Sequence, residues 1–177
     1  MIYADHLQRA AARTRALGHE VADGTADALA PDDVRDALAA LADLIGGLPA
    51  RLARADCDVS LECTRLALAA LPRFAQATGC RPIITLGSVA YNGVPILCAD
   101  VENIRALRQR SCYHVWWSLG DAQVIDLTLM AQLALLHKPG LPAMLPIVGA
   151  PDQHARIQWR PYLLGETLLR ALVNDGA

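Results

Sequence analysis

The period of the apolar residues changes once, near Arg81, and that change limits the folds open to this chain. Before it the pattern is helical. Leu7, Ala10, Ala11 and Leu17 lie near one face of a segment that runs to Gly18. After the connecting stretch Ala22-Asp23-Gly24-Thr25, Val34, Leu38, Leu41 and Ile45 recur at intervals of three and four. Pro31 fits the first helical position, Asp32 and Asp33 suit the first turn, and Gly46-Gly47 stops the run. A third helix is expected from Leu61, capped by Ser60 and ending near Gly79, with Leu66, Ala67, Ala70, Leu71 and Phe74 on its buried face. Beyond Arg81 the runs are β-branched: Ile83–Leu86, Val89–Tyr91 and Val94–Leu97, the last two joined by Asn92-Gly93, a strong hairpin signal. Strand-like runs follow at Tyr113–Ser118 and Gln123–Thr128, then a short helix over Leu129–Leu136, strands near Met144–Val148 and Arg156–Trp159, and a helix over Gly165–Asn174. Asp100–Arg110 reads as a short helix or a loop. Helices first and mainly antiparallel strands afterwards define an α+β fold.

With 177 residues, 54% of them apolar, and a net charge of -2, the chain has material for one domain, residues 1–177. Residues 1–55 form a helical N-terminal part and residues 56–177 an α+β core. No stretch reaches the roughly 18 to 20 uninterrupted apolar residues of a membrane span. The opening Met1-Ile2-Tyr3-Ala4-Asp5-His6 lacks the basic cluster and apolar run of a secretory signal. Apart from Lys138 the basic residues are arginines dispersed among acids, a pattern that does not point to nucleic acid. The five cysteines, Cys57, Cys63, Cys80, Cys98 and Cys112, include no C-x-x-C pair, and no two histidines have metal-ligand spacing. Free thiols in a reducing compartment such as the cytoplasm are expected, with no metal or organic cofactor; export without such a signal stays open. The high apolar content makes a homo-oligomer credible.

Three residues stand in the order of a thiol nucleophile, its base and the orienter of that base: Cys63, His114 and Asp126. A thiolate needs a pKa drawn below about 8.5, and a helix N-terminus or a nearby imidazole can do that. Cys57 is the rival nucleophile, but its neighbours Asp56 and Asp58 would raise its pKa. His114 and Asp126 lie on successive strands, so parity decides whether they meet. With an odd number of loop residues around Leu119-Gly120-Asp121, positions whose numbers sum to 240 face each other, and His114 lies opposite Asp126. A two-residue loop would put them on opposite faces. Asp126 is alternatively the cap of the helix beginning near Thr128. Trp116 shares the face of His114 while Trp117 faces the other way, and Trp116 and Trp159 are the candidates to line a cleft.

A cysteine opening a helix, then a histidine and an aspartate on successive strands, resembles the papain-like and transglutaminase-like cysteine enzymes. His114-Val115-Trp116 and Val124-Ile125-Asp126-Leu127-Thr128 are similar to the His-Ala-Trp and Val-x-Asp-x-Thr pattern of bacterial transglutaminase-like members. The likeness spans roughly Ser60 to Gln132. It implies a nucleophile-bearing helix packed on the sheet and an acyl-enzyme formed at Cys63 from an amide or ester carbonyl. His114 would move the proton and Asp126 orient the ring; the substrate would be a protein glutamine, a peptide bond or a small amide. Thr64 stands where many relatives have an aromatic residue, and no glutamine stands upstream where papain-like proteases place an oxyanion donor, so that donor is unassigned. The competing expectation is a non-catalytic interaction or adaptor protein on the same fold, its N-terminal helices serving as a partner surface.

Overall fold

A computed structural model describes residues 3–21, 28–54, 56–99, 106–107, 112–120, 123–137 and 146–174. The stretch Ala22–Thr25, most of Asp100–Arg110 and the start of the Met144–Val148 run lie outside the described residues. The fold is α+β, with an antiparallel sheet of six strands among the described residues.

Helix α1, Tyr3–Ala16, buries Leu7, Ala10 and Thr14. Leu17 lies beyond its end and is exposed, against the expected apolar face. The helix expected after Pro31 is broken into α2 (Pro31–Ala39), α3 (Ala42–Gly46) and α4 (Leu48–Leu52). The first break falls at Leu41, whose φ of -104° and ψ of 5° turn the chain. Val34, Ala37, Leu41, Ile45, Leu48 and Leu52 all stay in one core through these bends. The helical spacing was therefore real, but a straight helix would carry its later turns off the curved surface it covers.

Helix α5, Val59–Thr78, is the centre of that core, and Gly79 closes it at φ 69°, the left-handed cap that glycine adopts without strain. Its N-cap is Asp58, whose carboxylate accepts the Leu61 amide at 3.0 Å, and not Ser60. Ser60 is buried inside the first turn, where its hydroxyl donates to the Tyr113 carbonyl at 2.7 Å and ties α5 to the sheet. Asp58→Ala is expected to cost about 1 kcal/mol, the usual worth of such a cap, read as a lowered denaturation midpoint. Ser60→Ala would leave the cap untouched.

Strand β1, Ile83–Tyr91, is long enough to take three partners. Along one edge it pairs first with β3, His114–Leu119, over Ile83–Gly87, and then with β2, Val94–Leu97, over Val89–Tyr91. Along the other edge runs β6, Ile157–Leu164. β2 and β3 therefore lie end to end beside β1. Asn92 and Gly93, at φ 50° and 76°, make the tight β1–β2 turn that Asn-Gly forms readily. β4 (Gln123–Asp126) continues the sheet from β3, and β5 (Ile147–Gly149) follows β4.

The two sheet faces bury different groups. Trp117, Val115, Leu119, Ile125, Ile84 and Leu86 face α5, with Phe74 against Trp117 at a ring separation of 5.0 Å. Trp116, Val124 and Trp159 face the other way, toward Leu129 and Leu133 of α6 (Leu129–His137) and Tyr3 of α1. Helix α7, Glu166–Asn174, adds Leu168, Leu169 and Leu172 to the first face. No helix among the described residues is long and apolar enough to cross a membrane.

Candidate active site

The β3–β4 register pairs Trp117 with Ile125, Ser118 with Val124 and Leu119 with Gln123. Paired numbers sum to 242, so the loop is odd but centred one residue later than the expected sum of 240. Extending the register, Trp116 is across from Asp126, and His114 is the diagonal neighbour on the same face. A diagonal pair is still within reach of long side chains. His114 Nε2 and Asp126 Oδ2 are 2.8 Å apart, and neither side chain is exposed.

Asp126 does more than orient the ring. Its Oδ2 also accepts the indole N–H of Trp159 at 2.8 Å, and its Oδ1 accepts the amides of Thr128 and Leu129 at 3.1 and 3.0 Å. The residue is at once the histidine partner and the cap of α6, the two roles open from the sequence. Burial disfavours the carboxylate, but the charge and hydrogen bond of His114, the Trp159 N–H and the Leu129 amide outweigh it, and the carboxyl stays below its ordinary 3.8. An ionised carboxylate only accepts. Nε2 of His114 is therefore the donor in this bond.

Trp116 and Trp159, expected to line a cleft, are both buried. They wall the His-Asp pair instead. The Trp116 ring stacks on His114 with centroids 5.9 Å apart and planes at 24°, and its N–H donates to the Tyr3 hydroxyl at 2.6 Å. Tyr3 in turn hydrogen-bonds the Ser118 hydroxyl at 2.7 Å, and Ser118 that of Thr85 at 2.7 Å. Gly87, paired with His114 across the sheet, makes room for this stack: a Cβ there would sit 2.6 Å from the Trp116 ring and 2.1 Å from the Arg160 carbonyl oxygen.

Cys63 is wholly buried. Because α5 starts at Val59, Cys63 is the fifth helical residue and not a member of the first turn, so the unpaired amides of the helix start are not its own. Its sulfur accepts the Gln132 amide N–H from α6. Among the described residues it makes no hydrogen bond to His114. Burial pushes the thiol up to about 12; Thr128 and Gln132 oppose the shift, and the Asp126 charge adds to it. Cys57 is also pushed up, first by burial and then by the Glu62 charge. The structure thus brings His114 to Asp126 and Cys63 to the start of the helix that Asp126 caps. Three buried polar atoms of this cluster, His114 Nδ1, Thr128 Oγ1 and Gln132 Oε1, have no partner of hydrogen-bond geometry among the described residues.

Gln132 and Trp159 were not picked as polar partners from the sequence. Gln132 is the next polar side chain after Thr128 and lies within an otherwise apolar run, Leu129–Leu136, which is the signal that could have marked it. Among the described residues no group of three or more His, Cys, Asp or Glu side chains converges as a metal site. A cavity of about 740 Å³ lies apart from the cluster, between α2, α3 and β5, lined mainly by apolar residues such as Leu38, Ile45 and Val148. Comparisons with known protein families, with curated proteins and with solved structures find no match to this chain.

Proposed function

We propose that this chain is a thiol-dependent hydrolase or acyltransferase acting on an amide or ester carbonyl through Cys63, His114 and Asp126. The observation that carries the reading is Nδ1 of His114, buried and without a hydrogen-bond partner among the described residues, on a ring whose other nitrogen is fixed by Asp126. Buried polar atoms are nearly always satisfied, so an unsatisfied one calls for a reason, and a catalytic role is one such reason. In the proposed cycle Nδ1 takes the thiol proton as the sulfur bonds to the carbonyl carbon, and the π electrons move to the oxygen. The N–H of Gln132, already directed at the sulfur, is placed to receive that oxyanion and fills the role the sequence left unassigned. The tetrahedral carbon then expels the amine or alkoxide, which takes the proton from Nδ1 and leaves a thioester on Cys63. Water or an acceptor amine completes hydrolysis, deamidation or acyl transfer. No cofactor enters these steps.

A second reading is a non-catalytic interaction protein on the same fold, and one observation favours it: the Cys63 sulfur is wholly enclosed, with its thiol pushed up to about 12. A substrate carbonyl reaches the sulfur only if its cover opens. The readings separate by labelling with a thiol-reactive acyl probe near neutral pH. The enzyme reading expects labelling of the wild type that Cys63→Ala abolishes; labelling that persists in the variant rejects the assignment of the nucleophile. The pH dependence of alkylation gives the second arm. An apparent pKa well under about 8 supports the enzyme, and an inert thiol supports the binding protein.

A further inference from the structure

We propose that Cys98 and Cys112 are an oxidation site that closes reversibly to an intramolecular disulfide. The sheet register brings them together. β2 and β3 lie end to end along the same edge of β1, so the exit of β2 meets the entry of β3. Leu97 is paired with Val89, and the next residue but one, Ala99, is held to β1 by its amide donating to Ser88 Oγ at 2.9 Å. His114 is paired with Gly87. Cys98 and Cys112 therefore sit beside two anchors on adjacent residues of one strand.

The contact is direct, since Cys112 Sγ donates to the Cys98 carbonyl oxygen at 3.0 Å. Adding C=O and Cα–C bonds of about 1.23 and 1.52 Å places that sulfur within about 5.8 Å of Cys98 Cα. Rotation about both side chains, with a small approach of the two segments, would bring the sulfurs to the separation of about 2.05 Å that a disulfide requires. Both residues are free thiols here, Cys98 exposed and Cys112 half-buried. Cys63, by contrast, is wholly buried.

The co-reactant is a low-molecular-weight disulfide such as glutathione disulfide. The thiolate of the exposed Cys98 attacks one of its sulfurs, forming a mixed disulfide and releasing one glutathione thiolate. The Cys112 thiolate then attacks the Cys98 sulfur and releases the second. The two protons lost by the cysteines end on the two glutathiones, and the protein is oxidised by two electrons. Because Cys112 precedes His114 by two residues, the closed bridge would tether the entry of β3 on which the His-Asp pair is built.

The inference stands apart from the acyl-transfer reading, and the test keeps the two separate. The full chain is equilibrated in mixtures of reduced and oxidised glutathione, quenched in acid, alkylated and mapped by non-reducing mass spectrometry. Loss of two hydrogens with a Cys98–Cys112 link is expected in the wild type and equally in Cys63→Ala, reversed by dithiothreitol. Cys98→Ser and Cys112→Ser should each lose the link, the remaining thiol carrying at most one glutathione. Glutathione on both cysteines without a link, or a link from either to Cys57 or Cys80, overturns the proposal.

Discussion

Replacing Asp126 by alanine is expected to destabilise the fold by about 4 kcal/mol, since a buried donor left without its acceptor costs about 1–3 kcal/mol and several donors lose theirs here. Its loss orphans the Trp159 indole, the His114 ring nitrogen and the amides of Thr128 and Leu129 together. For a chain of this length that corresponds to a melting temperature lower by about 8–16 °C in calorimetry. Asp126→Asn should also be costly. Both carboxylate oxygens accept from N–H donors, so an amide NH₂ in either place would face another donor. The acid limb of stability supplies an independent check. The folded carboxyl lies below its ordinary 3.8, so the stabilisation is fully present above that value. It is lost as pH falls through the folded pKa, because the unfolded chain takes up the proton first. Asp126→Ala should flatten that limb. A loss of under about 1 kcal/mol, the worth of one ordinary hydrogen bond, would mean the carboxylate is not the hub described.

Gly87→Ala is the second large effect, expected at about 3 kcal/mol or more, the upper end for overpacking. The added Cβ meets the Arg160 carbonyl oxygen at 2.1 Å and the Trp116 ring at 2.6 Å. The first is backbone and cannot swing aside. The β1–β6 ladder must part beside its irregularity between Leu86 and Gly87, or Trp116 must leave its stack on His114. Urea unfolding measures the cost, and tryptophan fluorescence reports the displaced ring. An alanine variant as stable as the wild type would show that the two strands do not approach so closely at Gly87.

Local signals carried the architecture a long way. The change of period at Arg81, the Asn92-Gly93 turn and the Gly79 terminator each act within a few residues, and the structure has all three. Parity also served: an odd loop, with Gly120 at φ 53°, puts His114 and Asp126 on one face. The register missed by one loop residue because parity fixes the face and not the partner. Asp58 took the cap from Ser60 because both residue types cap helices, and the choice turned on a buried bond from Ser60 to Tyr113, 53 positions away. Gln132 finds Cys63 across 69 positions and Tyr3 finds Trp116 across 113, contacts that no window of sequence contains. The need for glycine at position 87 likewise exists only once three strands and an indole have met.

The junction of α1 with β6 bears on how the chain is made. The Thr14 hydroxyl accepts the Leu164 amide across 150 positions, and Leu7, Ala10 and Leu164 form one apolar cluster. On a ribosome, α1 would emerge with its apolar stripe bare and keep it so until the last strand of the sheet followed. Such long-range closure slows folding and prolongs the exposure of sticky surface. Synthesis and burial thus run out of step: α1 is made before every described strand of the sheet and is covered only when the last of them has followed.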